Sequence, residues 1–195
     1  LLAVQGRIDE AVASMARAVQ IDPFSLSTLV IRSVFLAHAG QHREAVAVGD
    51  RAIAARQGVF LPADGVRALS LLMIGRQEEA LAAARVVTNN LTAKPRWWID
   101  TNAIFVLRRT GHEAEGKAHA ERLLAGAPAD SYYRVYMAAA LGQVDEALDA
   151  LKRTPVPATA RAMVYFSDTW EEIRRSPRFP VVMQELGWWE HYQVA

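Results

Sequence analysis

The sequence predicts an all-α fold, a right-handed α-solenoid of stacked antiparallel helix pairs closed by a C-terminal capping segment. Three observations predict it. A glycine-led phrase recurs as "GRIDEAV" from Gly6, "GQHREAV" from Gly40, "GRQEEAL" from Gly75, "GHEAEGK" from Gly111 and "GQVDEAL" from Gly142. The spacings of 34, 35, 36 and 31 residues are those of two-helix repeat units. Each glycine is followed within four positions by acidic residues, and at the fifth by a small residue: Ala11, Ala45, Ala80, Gly116 and Ala147.

Each part of the phrase has a physical role. The glycine follows a helical pattern such as "LVIRSVFLAHAG" and ends that helix in a left-handed conformation. Asp9-Glu10, Glu44, Glu78-Glu79, Glu113-Glu115 and Asp145-Glu146 fall in the first turn of the next helix, where its dipole favours negative charge. The small residue lets the paired helices approach closely. Ala18 and Ala52 repeat that provision seven residues later, and Pro23 turns the chain into the next unit. Glycine inside a helix costs roughly 1 kcal/mol against alanine, so Gly116 marks very close packing.

The expected helices are 1–5 (the end of one begun upstream), 8–20, 26–39, 42–56, 63–74, 77–89, 96–110, 113–125, 130–141 and 144–153. The opening Leu1 and "LLAVQ" read as part of a longer chain. "NNLTAKP" at 89–95 is the longest loop inside the array; its Asn90-Leu91-Thr92 glycosylation triplet is taken as chance. Two domains follow: the array at 1–153 and a tail at 154–195. Pro155 and Pro157 break the array. "ATARAMVYF" forms a short helix, Ser176 caps a helix whose first residue is Pro177, and Gly187 ends it. Trp170, Phe179, Met183 and Leu186 supply apolar side chains with which the tail covers the last unit, as solenoid ends require. Of the adjacent Trp188 and Trp189, one faces outward, where a homodimer partner could cover it.

Residues 6–23, down to "IDP", resemble the tetratricopeptide repeat, whose pattern places glycine before the second helix, alanine five and twelve positions on, and proline at the end. The likeness covers about residues 1–153 and weakens along it: Val87, Leu123 and Thr154 replace the second small residue of later units. The tail phrase Ile173-Arg174-Arg175-Ser176-Pro177-Arg178-Phe179, followed by Met183, Leu186 and Gly187, is similar to the ending of arrays in bacterial signalling proteins. Such arrays occur in class III nucleotide cyclases and winged-helix transcriptional activators. Neither a cyclase nor a winged-helix motif is present in these residues. The resemblance implies a cytoplasmic protein–protein interaction scaffold, the regulatory or sensory region of a larger bacterial protein. The alternative is a sensor that binds a peptide or small ligand in its concave groove; a closed, deep, apolar groove favours that alternative and an open strip favours a protein partner.

The resemblance also implies the groove-lining residues. They are Val30, Val34 and His38 in the second unit, Leu69, Leu72 and Met73 in the third, Trp98, Thr101, Phe105, Arg108 and Arg109 in the fourth, and Tyr132 and Tyr136 in the fifth. Trp, Tyr and Arg dominate binding hot spots. Arg108 and Arg109 read as a solvent-facing dibasic patch for an acidic group on the partner. Phe105 and Leu69 have packing between helices as their other reading.

Composition narrows the function further. The 195 residues include 22 basic and 21 acidic ones, net charge +1, which disfavours a nucleic-acid binder. With no cysteine, there is no disulfide, thiolate metal site or cysteine nucleophile. No run of 18 apolar residues and no secretory signal is visible. His38, His42, His112, His119 and His191 read as surface residues, and the glycine between His38 and His42 should keep them off a common face. Acidic pairs such as Glu78-Glu79 and Glu171-Glu172 point in different directions on a helix. No nucleophile elbow, phosphate loop or dinucleotide fingerprint appears, so no enzyme, metal or cofactor is expected.

Overall fold

The computed structural model describes residues 2–90, 96–128 and 131–194, and within them every regular element is helical. A 3-10 turn at Leu2–Gln5 leads into α1 (Ile8–Ile21), α2 (Leu26–His38), α3 (His42–Arg56), α4 (Leu61–Met73) and α5 (Gln77–Asn89). Then come α6 (Trp97–Arg109), α7 (Glu113–Leu124), α8 (Tyr132–Ala140) and α9 (Val144–Arg153). The tail holds α10 (Ala158–Phe166), a 3-10 turn at Asp168–Trp170, α11 (Glu171–Arg174), α12 (Arg178–Glu185) and α13 (Trp189–Gln193). No helix among the described residues is long and apolar enough to cross a membrane. Residues 91–95 of the expected loop at 89–95, with two residues of the glycosylation triplet, lie outside the described residues.

The recurring glycines end helices as their spacing requires. Gly6, Gly40, Gly75, Gly111 and Gly142 all have φ between 72° and 84°. After α2, the Gly40 N–H bonds to the Ala37 carbonyl and the Gln41 N–H to the Leu36 carbonyl. The same crossed pair recurs after α4, α6 and α8, and again at Gly187 after α12. Carbonyls that the helix end would orphan are thus bonded, and the chain is turned sharply into the next helix. The acids then stand in first turns, and Arg7–Glu10 and Arg76–Glu79 close two-bond ion pairs across theirs.

Helices α2, α4, α6 and α8 form a row in which each touches the next. Helices α3, α5, α7 and α9 lie on one side of that row, each packed on the helix before it. Ala45, Ala80 and Ala147 are fully buried at these contacts. Gly116 is a close approach: a Cβ there would lie 3.3 Å from the Ile104 carbonyl oxygen. A tighter approach, between α4 and α6, sits at Gly65, where a Cβ would lie 2.7 Å from Ile99 Cγ2 and 3.2 Å from its Cα.

Helix α4 starts two residues ahead of its expected position, and a reach-back bond marks its start and that of α6. Asp64 reaches back to accept the Phe60 N–H at 3.0 Å, and Asp100 accepts the Arg96 N–H at 2.9 Å. Each carboxylate pairs an N–H left free by the first turn, so α4 begins at Leu61 rather than 63. Ser176 also accepts an N–H, that of Arg178 at 3.3 Å, but Pro177 lies just outside α12 rather than at its first position.

The tail does more than cover the last unit. It crosses the open side of the α2–α8 row and reaches the start of the chain. Trp170 is fully buried, edge-on to Tyr136 at 5.8 Å, and the Tyr136 hydroxyl donates to the Ala160 carbonyl at 2.8 Å. Ala162 and Phe166 of α10 join Leu2, Ala3, Ile8, Ala11 and Phe35 in one apolar cluster. Phe179 and Met183 are buried and Leu186 is half-buried against the same core. Trp188 is buried under the Arg161 guanidinium, 4.5 Å from its ring, and Trp189 is half-buried against Tyr192. Trp188 is thus the inward ring of the pair and Trp189 the partly exposed one.

Two substitutions test this packing. Gly65→Ala should destabilise by about 1–3 kcal/mol, because Ile99 backbone blocks the new methyl. Trp170→Ala should cost about 3–5 kcal/mol. Urea denaturation checks both, and an unchanged midpoint for Trp170→Ala would show that the tail contributes little to folding.

Candidate functional site

A space lies between the tail and the helix row. It is a partly enclosed cavity of about 400 Å³ between α2, α4, α6 and α10. Helix α2 contributes Val30, Ile31, Val34, Phe35, Ala37 and His38, spaced at three, four and seven residues so that one stripe faces inward. Val66 and Leu69 come from α4, Trp97, Trp98 and Asn102 from α6, and Ala162 and Met163 from α10. Ile31 is 44 % exposed and marks the mouth. Among the described residues no charged side chain lines the space.

Two polar atoms in that lining have no partner. The Asn102 side chain is buried and its Oδ1 accepts no hydrogen bond. The enclosed Nδ1 of His38 is likewise unbonded. A buried polar atom without a partner costs about 1–3 kcal/mol, and both atoms are closed off from solvent.

The His38 ring stacks on Phe166 at 6.3 Å, and burial lowers its pKa to about 4, with smaller contributions from the Arg174 and His42 charges. The ring is therefore uncharged near neutrality. His42 turns to the same side and lies 3.6 Å from the Asp168 carboxylate. Burial raises the pKa of that carboxyl, and His42 opposes the shift. Arg174 donates to the Val164 and Ser167 carbonyls at the end of α10; burial lowers its pKa. The two histidines thus share the tail as a neighbour although Gly40 separates their helices, contrary to the expectation from sequence. The turn at Gly40 is what brings them to one side.

The groove residues read from the sequence divide into four groups. Val30, Val34, His38, Leu69 and Trp98 meet at the cavity. Thr101, Phe105 and Tyr136 are buried in the core, where no partner reaches them: Thr101 Oγ1 donates to the Trp97 carbonyl, and Tyr136 is held by the tail. Leu72 is a half-buried core neighbour, Met73 lies beside the start of α3, and Tyr132 packs edge-on to Trp97 at 5.8 Å.

Arg108 and Arg109 are not a free basic patch. Both reach Glu172 of the tail, at 3.0 and 3.2 Å, and Arg108 Nε also donates to the Ala140 carbonyl at 3.0 Å. These contacts cap the end of α8 and pin α11 against it, lowering the Glu172 pKa chiefly through the Arg108 hydrogen bond.

His119 corrects the surface reading most clearly. It is fully buried, with Nε2 3.1 Å from Asp100 Oδ1 and Nδ1 3.2 Å from Arg122 Nη2. Arginine only donates, so Nδ1 accepts and the Nε2 proton faces Asp100. The pair ties α7 to the start of α6. Sequence reasoning missed Asn102, Trp97 and the α10 residues of the cavity. The available signal was Asn102 and His38 as polar interruptions of apolar faces. Among the described residues no group of histidine, aspartate and glutamate is arranged to hold a metal ion.

No family model matches this chain, and comparison with curated proteins and with solved structures finds no match.

The His38 environment sets a pH dependence. Its folded pKa lies below the ordinary 6.5, so the unfolded chain takes up a proton first as pH falls. Stability from this residue is present above about pH 6.5 and lost on descending towards about 4, by an amount of the order of 3 kcal/mol. Denaturation at pH 7 and pH 4.5 should show a smaller loss in His38→Gln than in the parent chain. Equal losses would mean that His38 does not titrate in this way.

Proposed function

We propose that this chain is a tetratricopeptide-like repeat module, a right-handed solenoid whose concave face is the row α2–α8, and that it serves as the sensory region of a larger bacterial signalling or transcription-regulating protein. The repeat reading is supported by the fivefold glycine phasing, with its crossed hydrogen bonds, and by the alternating contacts of paired helices. Of the two modes of recognition, binding of a small ligand or a peptide side chain is favoured over an open protein-docking strip. One observation carries that choice. The tail lies over the α2–α8 row and leaves an apolar, partly enclosed space that repeat helices and tail line together. A ligand there touches repeat helices and tail at once, so its binding energy changes how firmly the two are held together. A partner protein then reads the tail's position rather than the groove itself.

A ligand-observed NMR screen of small-molecule fragments and short peptides tests this reading, using the parent chain and Val34→Trp, whose indole fills the cavity. Hits should bind the parent and be lost in the variant. Hits indifferent to Val34→Trp, or a screen without hits, would overturn it.

A further inference from the structure

The surface where the array ends and the tail begins carries an open pocket of about 370 Å³. We propose that it docks an acidic segment of a partner protein, which sets an aspartate or glutamate against Arg153 and Arg161 and an apolar side chain beside Trp188. This rests on the reading that a partner senses the seating of the tail, and it names the surface that the partner reads.

The wall is built from both layers. Lys152 and Arg153 stand in the last turn of α9, and Val156 lies in the link to α10. Arg161 comes from α10, and Leu186 and Trp188 from the turn between α12 and α13. The pocket is therefore complete only while the tail is seated on the array. Among the described residues no lining side chain is acidic. Neighbouring acids are already engaged: Glu185 pairs with Lys152 at 2.6 Å, and Asp149, one turn before Arg153, pairs with Arg178. Among the described residues neither Arg153 nor Arg161 has an ion pair or a side-chain hydrogen bond. Two guanidiniums thus face the pocket without a carboxylate.

The two are presented differently. Arg161 is held over the Trp188 ring, 4.5 Å from its centre. Its Nε is closed off from solvent, whereas its terminal nitrogens are not. It is a positioned cation with terminal N–H groups open to an acceptor, and a positioned arginine loses less freedom on pairing. Arg153 is exposed. It complements the negative end of the α9 dipole, which leaves its donors unused. A carboxylate suits such donors, because its two oxygens accept parallel N–H bonds. Val156 and Trp188 are buried and Leu186 half-buried, so the rest of the wall is apolar. A bare anion would use the cations and leave that part wet, whereas an acidic residue beside an apolar one covers both.

Short random peptides displayed on phage are selected on the whole chain, and each selected peptide is titrated by fluorescence anisotropy against the parent and its variants. Peptides bound at this pocket should lose about tenfold in affinity with Arg161→Gln and with Arg153→Gln, the loss of roughly one hydrogen bond to a charged group. Those peptides should carry aspartate or glutamate next to an apolar residue, and added salt should weaken them. Arg153→Glu replaces Arg161→Gln as the test should the latter loosen Trp188, because Arg153 is exposed. Selected peptides that are all indifferent to these substitutions, or sensitive ones without acidic residues, would overturn the proposal. Binding of inorganic phosphate or a short oligonucleotide with the same sensitivity, and of no acidic peptide, would also overturn it and assign the pocket to a phosphate-bearing ligand. Any of these failures leaves the sensing reading standing if fragments still bind the parent and are lost in Val34→Trp; failure of both experiments overturns both.

Discussion

The architecture turns on a helix row that is apolar on two opposite sides. In α6, every residue from Ile99 to Leu107 is buried. A helix that is apolar all round must be covered all round. The packed partners α3, α5, α7 and α9 cover only one side. The other side would expose Leu69, Phe105 and Tyr136 to water, and the tail exists in its observed place because it removes that surface. Burying one such side chain is worth roughly 1.5–3 kcal/mol. Trp170, which meets Tyr136, and the hydrogen bond from Tyr136 to Ala160 then fix where the tail sits.

That seating has consequences along the whole chain. Once α10 crosses the row, its far end meets the opening 3-10 turn and α1, so the two ends of the polypeptide share a cluster. Arg108 and Arg109 are drawn to Glu172, and His42 faces Asp168. These ion pairs line the edges of the tail, whereas the middle of the contact is apolar and incompletely filled. Part-exposed pairs of this kind add modest stability, so they orient the tail more than they bind it. An incompletely filled, uncharged space between two independently built layers is a natural place for a small molecule to alter their association.

The helices of the array were legible because their signals are local. A left-handed glycine, first-turn acids and a small residue five positions on are all encoded within seven residues, and helices 42–56, 77–89 and 144–153 begin and end where those signals put them. The reach-back of Asp64 and Asp100 is also local, and an acid at the fourth position of each helix was its trace. The His119–Asp100 pair left no such trace, because its members lie on successive helices and meet only when Gly116 lets α7 approach α6.

By itself the sequence determined a chain of helices of known phase, the faces that must be buried, and a tail carrying large apolar side chains. It did not determine which surface the tail would cover. Periodicity records that a face is apolar, but not whether a partner, a ligand or another segment of the same chain covers it. Only the tertiary structure decided that Tyr136, Phe105 and Thr101 belong to the core and that Val30, Val34, His38 and Trp98 border a space. The physical reason is that burial is non-directional: any apolar cover lowers the free energy, and geometry alone selects the one that fits.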